Sequence, residues 1–322
     1  MAEELGVSRS TVSRAFTPDA FVHRETREKV LKAAKRLGYQ PNAIAQALTG
    51  RVGRIVGIIM GDLQNPFHAT IHSAVTAALQ ARNLTPITAQ TDPGSATINN
   101  AVETFRRYQV DVVLLTSMQV ESDMIGACKR AGLRPVLLNR ADPGLSVSSV
   151  NADLAAGARM AGRHLAERHC RNVVVLEGPE GLWTTENRSR GHHEGLLSAG
   201  LSPVACLRAG YTYADGQRAA DTVFGSGMTV DGILASNDLA AIGFLDRART
   251  AFDKIAPRDF ALVGFDDIPM AAWDGYDLTT VRLPVLRMGD RVAELAGRIV
   301  DRELDSAEQT LVPCTLVKRG SA

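Results

Sequence analysis

The sequence predicts an α/β protein in which a small all-α head precedes a two-lobed body of two doubly wound parallel sheets. Three observations carry this. At 322 residues the chain exceeds one ordinary domain and accommodates two or three. Residues 1–50 show helical apolar spacing. From Ile55 onward, short apolar runs alternate with amphipathic helices, the order expected of parallel α/β units.

In the head, Ser8 is placed to cap a helix, its hydroxyl accepting a free backbone N–H of the first turn. Val12, Ala15 and Phe16 recur at i, i+3 and i+4 and form the buried stripe, so Arg9, Ser10, Ser13 and Arg14 face outward. Hydroxyls and guanidinium groups are suited to base edges and phosphates. Gly6 occupies the turn ahead of this helix, as a helix-turn-helix unit requires. After the loop Thr17–His23, a second helix is expected from about Arg24 to Leu37. Val30, Leu31, Ala34 and Leu37 make its core stripe and Gly38 its stop. Pro41 opens a two-turn helix from Asn42 to Leu48 that ends near Gly50. A helix that short is marginal alone in water and needs a partner helix, DNA or both.

Charge is distributed to match. Residues 1–51 carry nine basic residues (Arg9, Arg14, Arg24, Arg27, Lys29, Lys32, Lys35, Arg36, Arg51) and five acidic ones (Glu3, Glu4, Asp19, Glu25, Glu28), a balance of +4. The whole chain is +1, so the remainder is −3. A basic head on a mildly acidic body suits a nucleic-acid-binding module attached to something else. Cys128, Cys170, Cys206 and Cys314 form no CxxC pair, which favours isolated thiols in a reducing cytosol over a zinc site or disulfide framework. The opening Met-Ala-Glu-Glu lacks the basic flank and apolar core of a signal peptide. No apolar run nears the ~20 residues of a membrane span. A cytoplasmic protein with no membrane partner is expected.

The body opens with a strand at Ile55–Met60. Further strands are expected at Leu84–Ala89, Asp111–Thr116, Pro135–Asn139, Asn172–Glu177, Leu201–Leu207, Gly232–Ala235 and Phe260–Gly264. Helices are expected at His68–Arg82, Ala96–Tyr108, Ala155–Arg168, Ser189–Ala199, Asp215–Gly225 and Leu239–Ala248. Another runs from about Val285 to Glu303, with Val292, Leu295, Ala296, Ile299 and Val300 on one side. Pro86 within a strand requires an edge, and in a 2-1-3-4-5 order the second strand is an edge. The chain should cross to a second subdomain around Asn151–Asp153 and return near Thr279–Pro284.

No enzyme constellation is visible. Val56-Gly57-Ile58-Ile59-Met60-Gly61 is not a dinucleotide fingerprint, and no GxxxxGK[ST] loop occurs. His192 and His193 are adjacent on a helix and point about 100° apart, and His164 and His169 are also off-face. All four read as surface or cleft histidines. No cofactor and no metal are expected.

Taken together, Gly6-Val7-Ser8 with Thr11-Val12-Ser13-Arg14, and Pro41-Asn42 with Ala45 and Leu48, resemble the opening and hinge patterns of the LacI/GalR family of transcription regulators. The resemblance runs on to Leu316-Val317-Lys318-Arg319. It implies a helix-turn-helix DNA-binding domain over 1–40, a hinge helix and linker over 41–52, and an effector-binding and dimerisation domain over 53–322. That last domain would have the periplasmic-binding-protein-like fold, with three crossings between lobes. Lobe 1 would span about 53–151 and 284–304, and lobe 2 about 152–283 and 305–322. The resemblance also implies that the first recognition helix lies in the major groove, with Ser8, Arg9, Ser10, Thr11, Ser13 and Arg14 as DNA-contacting residues. Asn42, Ala45 and Leu48 would belong to hinge helices paired in the minor groove. Leu48 would wedge between base steps, at an unstacking cost of about a few kcal/mol per step. The family usually carries several residues ahead of the position of Met1, and a capping Ser or Thr where His23 stands. A first helix shortened to Ala2–Leu5 and a weaker start to the next are therefore expected. The shortening implies either a late start site or reduced DNA affinity.

Ligand is expected between the lobes, at the carboxyl ends of the strands. In lobe 1, Asp62, Asn65, Pro66, Phe67 and Ile71 follow the first strand, and Asn139 and Arg140 follow the fourth. In lobe 2, Arg188 matches the arginine with which the family grips effector, and a guanidinium fork suits sugar hydroxyls or a carboxylate. Thr184 is its polar neighbour. Asn237 follows the strand ending near Ser236. The family resemblance favours a ligand bond from Asp266, while Asp267 reads as a turn or helix cap. Phe67, Trp183, Tyr211 and Trp273 are the aromatic candidates to face a ring. The expected function is a ligand-responsive repressor that binds a pseudo-palindromic duplex operator and a small effector, a sugar or sugar derivative. With no heptad tail after Arg319, a homodimer is expected. The alternative is a cytosolic small-molecule sensor that has lost DNA binding.

Overall fold

Two stretches of the sequence fold as separate units, Met1–Gly53 and Arg54–Ala322. The structure, a computed structural model, describes residues 1–16, 20–39, 54–91, 95–116, 122–140, 144 and 146–322. In the first unit, α1 (Arg9–Ala15) starts at Ser8, whose hydroxyl oxygen accepts the Thr11 N–H at 3.0 Å. Val12 and Ala15 turn inward onto Val30 of α2 (Arg24–Leu37), and Met1, Ala2, Leu5, Val7 and Phe16 pack around them. Arg9, Ser10, Ser13 and Arg14 are exposed, as their spacing predicts. His23 makes no capping bond, and Gly38, left-handed at φ 61°, ends α2.

The stripe of α2 departs from expectation. Val30, Ala33 and Ala34 are buried, whereas Leu31 and Leu37 remain exposed. Leu31 lies about 100° round the helix from Val30, and so small a core covers one face only. Arg27 adds a tie that apolar spacing does not reveal. Its guanidinium donates to the carbonyls of Ala15 and Ala20 at 3.0 and 2.7 Å, fastening the chain between the helices. The expected hinge residues Asn42, Ala45 and Leu48 lie outside the described residues.

The second unit builds its first lobe from β1 (Ile55–Met60), α3 (Pro66–Ala81), β2 (Thr85–Gln90), α4 (Ser95–Arg107), β3 (Val112–Leu115), α5 (Ser122–Arg130), β4 (Arg134–Leu138) and β5 (Ser148–Ala152). The second lobe holds α6 (Leu154–Glu167), β6 (Val173–Glu177), α7 (Trp183–Leu197), β7 (Ala205–Arg208), α8 (Tyr213–Gly225), β8 (Gly232–Leu234), α9 (Asp238–Phe252), β9 (Ala261–Asp266) and β10 (Thr279–Arg282). Then α10 (Val285–Val300) and β11 (Gln309–Val312) return to the first lobe, and β12 (Thr315–Val317) closes the second. The sheet orders are β11-β5-β4-β3-β1-β2 and β12-β10-β9-β8-β6-β7. Central strands β1 and β3 are buried at every position, because helices cover both faces of a parallel sheet. Pro86 lies in β2 at the edge of the first sheet, where its missing N–H costs no ladder bond.

Two expectations are corrected here. Residues 309–312 do not belong to lobe 2. They pair in parallel with β5, and Glu308 N–H and the Gln309 amide bond to Ser148 Oγ and the Val147 carbonyl, so the third crossing falls between β11 and β12. The second sheet is not purely parallel, because β12 runs antiparallel to β10. A strand reached by a two-residue link from the other lobe has no crossover helix to turn it round.

Within lobe 2, α6 and α7 approach until backbone meets backbone. A Cβ on Gly191 would lie 2.3 Å from the Ala155 carbonyl oxygen. Gly191→Ala is expected to lower the unfolding free energy by about 1–3 kcal/mol through overpacking. Urea unfolding checks this, and an unchanged midpoint would show that the two helices have room to part.

Candidate functional site

The parallel strands of both lobes end at a cleft enclosing about 520 Å³ of empty space, its open mouth included. Lobe 1 contributes Asn65, Phe67, His68 and Ile71 at the start of α3, Thr116 after β3, and Leu138, Asn139 and Arg140 at the end of β4. Lobe 2 contributes Thr184 and Arg188 of α7, Tyr211 after β7, Asn237 after β8, and Asp266 at the end of β9.

Arg188 organises the lobe 2 side. It is 6% exposed, donates through Nη1 to the Ser236 carbonyl at 2.7 Å, and through Nη2 to Asp266 Oδ1 at 2.7 Å. Its guanidinium carbon stands 4.2 Å from the centre of the Phe265 ring and 5.6 Å from that of Tyr211. Burial works against its charge, but Asp266 and Tyr211 outweigh burial and hold the guanidinium above its ordinary value. Burial pushes the Asp266 carboxyl up, against the pull of Arg188 and His68. The short contact between the two is charge-assisted. Arg188 Nε is buried with no protein partner.

The neighbours are fixed in turn. Tyr211 O–H meets Thr185 Oγ1 at 2.9 Å and Thr184 Oγ1 at 3.3 Å. Asn237 caps α9 through Oδ1 and donates through Nδ2 to the Tyr211 carbonyl at 3.0 Å, so its amide is largely committed to the fold. Asn65 caps α3 by accepting the Phe67 N–H at 3.0 Å. Phe67 and Ile71 form the apolar wall opposite. Asn139 is left-handed at φ 56°, and its Oδ1 is buried without a partner.

Of the expected cleft residues, Asp62 does not reach the cavity. A left-handed turn (φ 31°) leaves its side chain in solvent, and its carbonyl accepts from His68 Nδ1 at 2.9 Å. Trp183 packs against the core, and Trp273, 58% exposed, stacks on Tyr276. His192 and His164 are buried, not surface or cleft groups. Burial beside Arg188 pulls the His192 imidazole down to about 3. Asp267 pairs with Arg282 at 2.5 Å and Arg319 at 2.7 Å, tying down the carboxyl-terminal segment instead of capping a helix. The cleft also includes His68, Thr116 and Leu138, which the sequence reading did not single out. Thr116 and Leu138 follow from the strand-end rule applied to β3 and β4. His68 follows from sharing the first turn of α3 with Phe67.

Beneath the ion pair lies Asp238, fully buried. Its oxygens accept from Thr280 Oγ1 at 2.6 Å and the Ile268 N–H at 2.9 Å. Burial, then Asp266, pushes its carboxyl up to about 7. Between about pH 4 and pH 7 the native state therefore keeps a proton that the unfolded chain has released. This group's stabilising contribution is full below that window and is lost as pH rises through it. Asp238→Asn is expected to raise the thermal midpoint at pH 8 by about 2 °C or more, with a smaller gain at pH 5. Calorimetry at the two pH values checks this, and equal shifts at both would refute it. Removing Arg188 alone strands a buried carboxylate, so Arg188→Ala should cost about 3–5 kcal/mol. Adding Asp266→Asn should recover much of that loss. Urea unfolding of both single variants and the double measures the coupling, and strictly additive losses would deny it.

Comparison with known proteins matches this architecture. Residues 1–42 match the bacterial regulatory proteins of the lacI family, and residues 162–322 the periplasmic binding protein-like domain. The ribose operon repressor of Bacillus subtilis (strain 168) is 27% identical over 319 residues, covering 99% of this chain and 96% of that protein. The regulator CelR of Thermobifida fusca is 31% identical over 310 residues, covering 92% of this chain and 88% of that protein. A solved complex of the transcriptional regulator CelR with cellobiose superimposes with a TM-score of 0.78 at 28% identity, covering 100% of this chain and 98% of that one. With a capped, arginine-bearing α1 in its head, a cleft between two α/β lobes, and this likeness along nearly its whole length, the chain belongs to the lacI family of bacterial regulatory proteins.

Proposed function

We propose that this regulator is a cytoplasmic repressor that grips a pseudo-palindromic operator as a homodimer and answers to a sugar or sugar derivative held between its lobes. The observation that carries the reading is the cleft itself. Polar groups from both lobes converge on one cavity whose other wall is Phe67 and Ile71. Arg188 is fixed deep in it, with a donor to spare at Nε. The ribose operon repressor and the cellobiose-bound CelR among its relatives support a carbohydrate. In this reading Asn65, Asn139, Arg140, Thr184, Arg188, Tyr211, Asn237 and Asp266 frame the effector. Among the described residues no helix is long and apolar enough to cross a membrane.

In the head, the exposed Arg9, Ser10, Ser13 and Arg14 of α1 meet base edges and phosphates, with Ser8 and Thr11 at the helix start. Asn42, Ala45 and Leu48 complete the grip through the minor groove. Effector acts by binding one arrangement of the lobes better than the other, which changes how well two heads engage one operator. Met1, Ala2 and Leu5 still close the head's small core, which favours the DNA-binding reading over a sensor that has lost it.

Selection of random duplexes by the purified protein should enrich an inverted repeat, and recovery of no symmetric site would sink the proposal. Arg188→Lys keeps the charge facing Asp266 but loses the planar fork. It is expected to weaken effector binding about tenfold or more, the equivalent of one charge-assisted hydrogen bond. Operator affinity without effector should stay within about twofold, since these contacts belong to a different folding unit from the DNA-facing helix. Anisotropy titrations with labelled operator measure both, and parallel losses would make Arg188 structural only.

A further inference from the structure

Besides Tyr211, the ionisable side chains that line the cleft among the described residues are His68, Arg140, Arg188 and Asp266. Arg188 and Asp266 neutralise each other at 2.7 Å. His68 Nδ1 donates to a backbone carbonyl, so its ring adds at most positive charge. Arg140 is left over. Its backbone N–H bonds to Asn151 Oδ1 at 2.5 Å, but among the described residues no carboxylate comes within ion-pair reach of its guanidinium. Acids at or beside the strand ends of lobe 2 are committed elsewhere. Asp238 is held by Thr280 and the Ile268 N–H, Glu177 faces Ser189 and Arg208, and Asp267 faces Arg282 and Arg319. The residue beside Arg140 is Asn139, an amide with an unpartnered buried oxygen, where a carboxylate would have cancelled the charge. Burial pulls the Arg140 guanidinium down to about 10, so it is desolvated yet still charged at neutral pH, and Tyr211 is its electrostatic neighbour from the other lobe.

We infer that the effector is a sugar carboxylate, an aldonate or uronate, whose carboxylate pairs with Arg140 while its hydroxyls meet Arg188, Asp266 and Asn139. This rests on the proposed function and narrows its ligand class. A partly buried cation with no counter-ion among the described residues is the place for the negative charge of a ligand. The guanidinium fork matches a carboxylate in two parallel hydrogen bonds. One spare positive charge balances a monoanion. A phosphate monoester carries about −1.5 to −2 at neutral pH and would be left short of donors.

The test is calorimetric titration of the full chain with the aldonates and uronates of glucose, galactose and mannose. The parent hexoses, ribose, xylose and glucose 6-phosphate complete the panel. At least one sugar acid should bind about tenfold or more tighter than its neutral parent. Arg140→Gln should erase most of that preference, while Arg140→Lys, which keeps the charge, should retain it in part. Thermal unfolding confirms that each variant is folded. Equal loss of preference in both variants would overturn the charge assignment, as would tighter binding of the sugar phosphate. Binding of neutral sugars alone overturns this inference and leaves the proposed function standing. Binding of no carbohydrate overturns both.

Discussion

The buried contact between Arg188 and Asp266 sets the terms for the rest of the cleft. Two charges taken out of water must find each other and fill their remaining hydrogen bonds. Here α7 brings the arginine, β9 brings the carboxylate, and the carbonyl of Ser236 after β8 takes a further guanidinium hydrogen. Phe265 lies against the guanidinium face and Tyr211 stands beside it. Three separate strand ends of lobe 2 are thereby held to one geometry. Gly178 serves the same end, since a Cβ there would meet the Tyr211 ring at 2.4 Å. Lobe 2 thus offers a preorganised polar floor, and little of its structure needs to move when a ligand arrives.

Much of this was legible in the sequence because it rests on local signals. The run Ile55–Met60, the edge position forced by Pro86, the cap at Ser8 and the stop at Gly38 follow from periodicity and backbone chemistry within a few residues. Arg188 and Asp266 came from the family resemblance, not from spacing. What escaped notice is polar and long-range. Strand β5 reads Ser148-Ser149-Val150-Asn151-Ala152 and is buried throughout, yet it shows no apolar run. Its hydroxyls are satisfied by a segment 160 residues away, a contact no sequence window contains. Short β10, β11 and β12 escaped for the same reason, which is why the expected third crossing was placed before β11 and not after it. The burial of His164 and His192 was likewise invisible, because it is set by the packing of neighbouring helices.

The two lobes divide their work differently. In lobe 2, polar side chains are spent mainly on each other, as with Asn237, which caps α9 and holds the Tyr211 carbonyl. In lobe 1, the polar groups at the end of β4 are less committed: the Asn139 side-chain oxygen has no partner and the Arg140 guanidinium has no counter-ion among the described residues. A groove with one satisfied side and one unsatisfied side gains more from a ligand than from closing empty. That asymmetry suits a switch, because the unsatisfied groups are stabilised only in the occupied arrangement.

Electrostatics then supplies a direction for the switch. Tyr211 has the Arg188 guanidinium at 5.6 Å on its own lobe and Arg140 as its electrostatic neighbour from the other. Drawing the lobes together without ligand brings a cation that has no counter-ion among the described residues toward a site whose own cation is paired with Asp266. A bound anion reverses the sign of that approach. In the proposed reading, the carboxylate of the effector is then what makes lobe closure favourable, and its hydroxyls set which sugar acid fits. The largest shift such a ligand produces equals its difference in affinity for the two lobe arrangements. A charge placed between Arg140 and the lobe 2 floor contributes to that difference directly, because only the closed arrangement brings both sides to it.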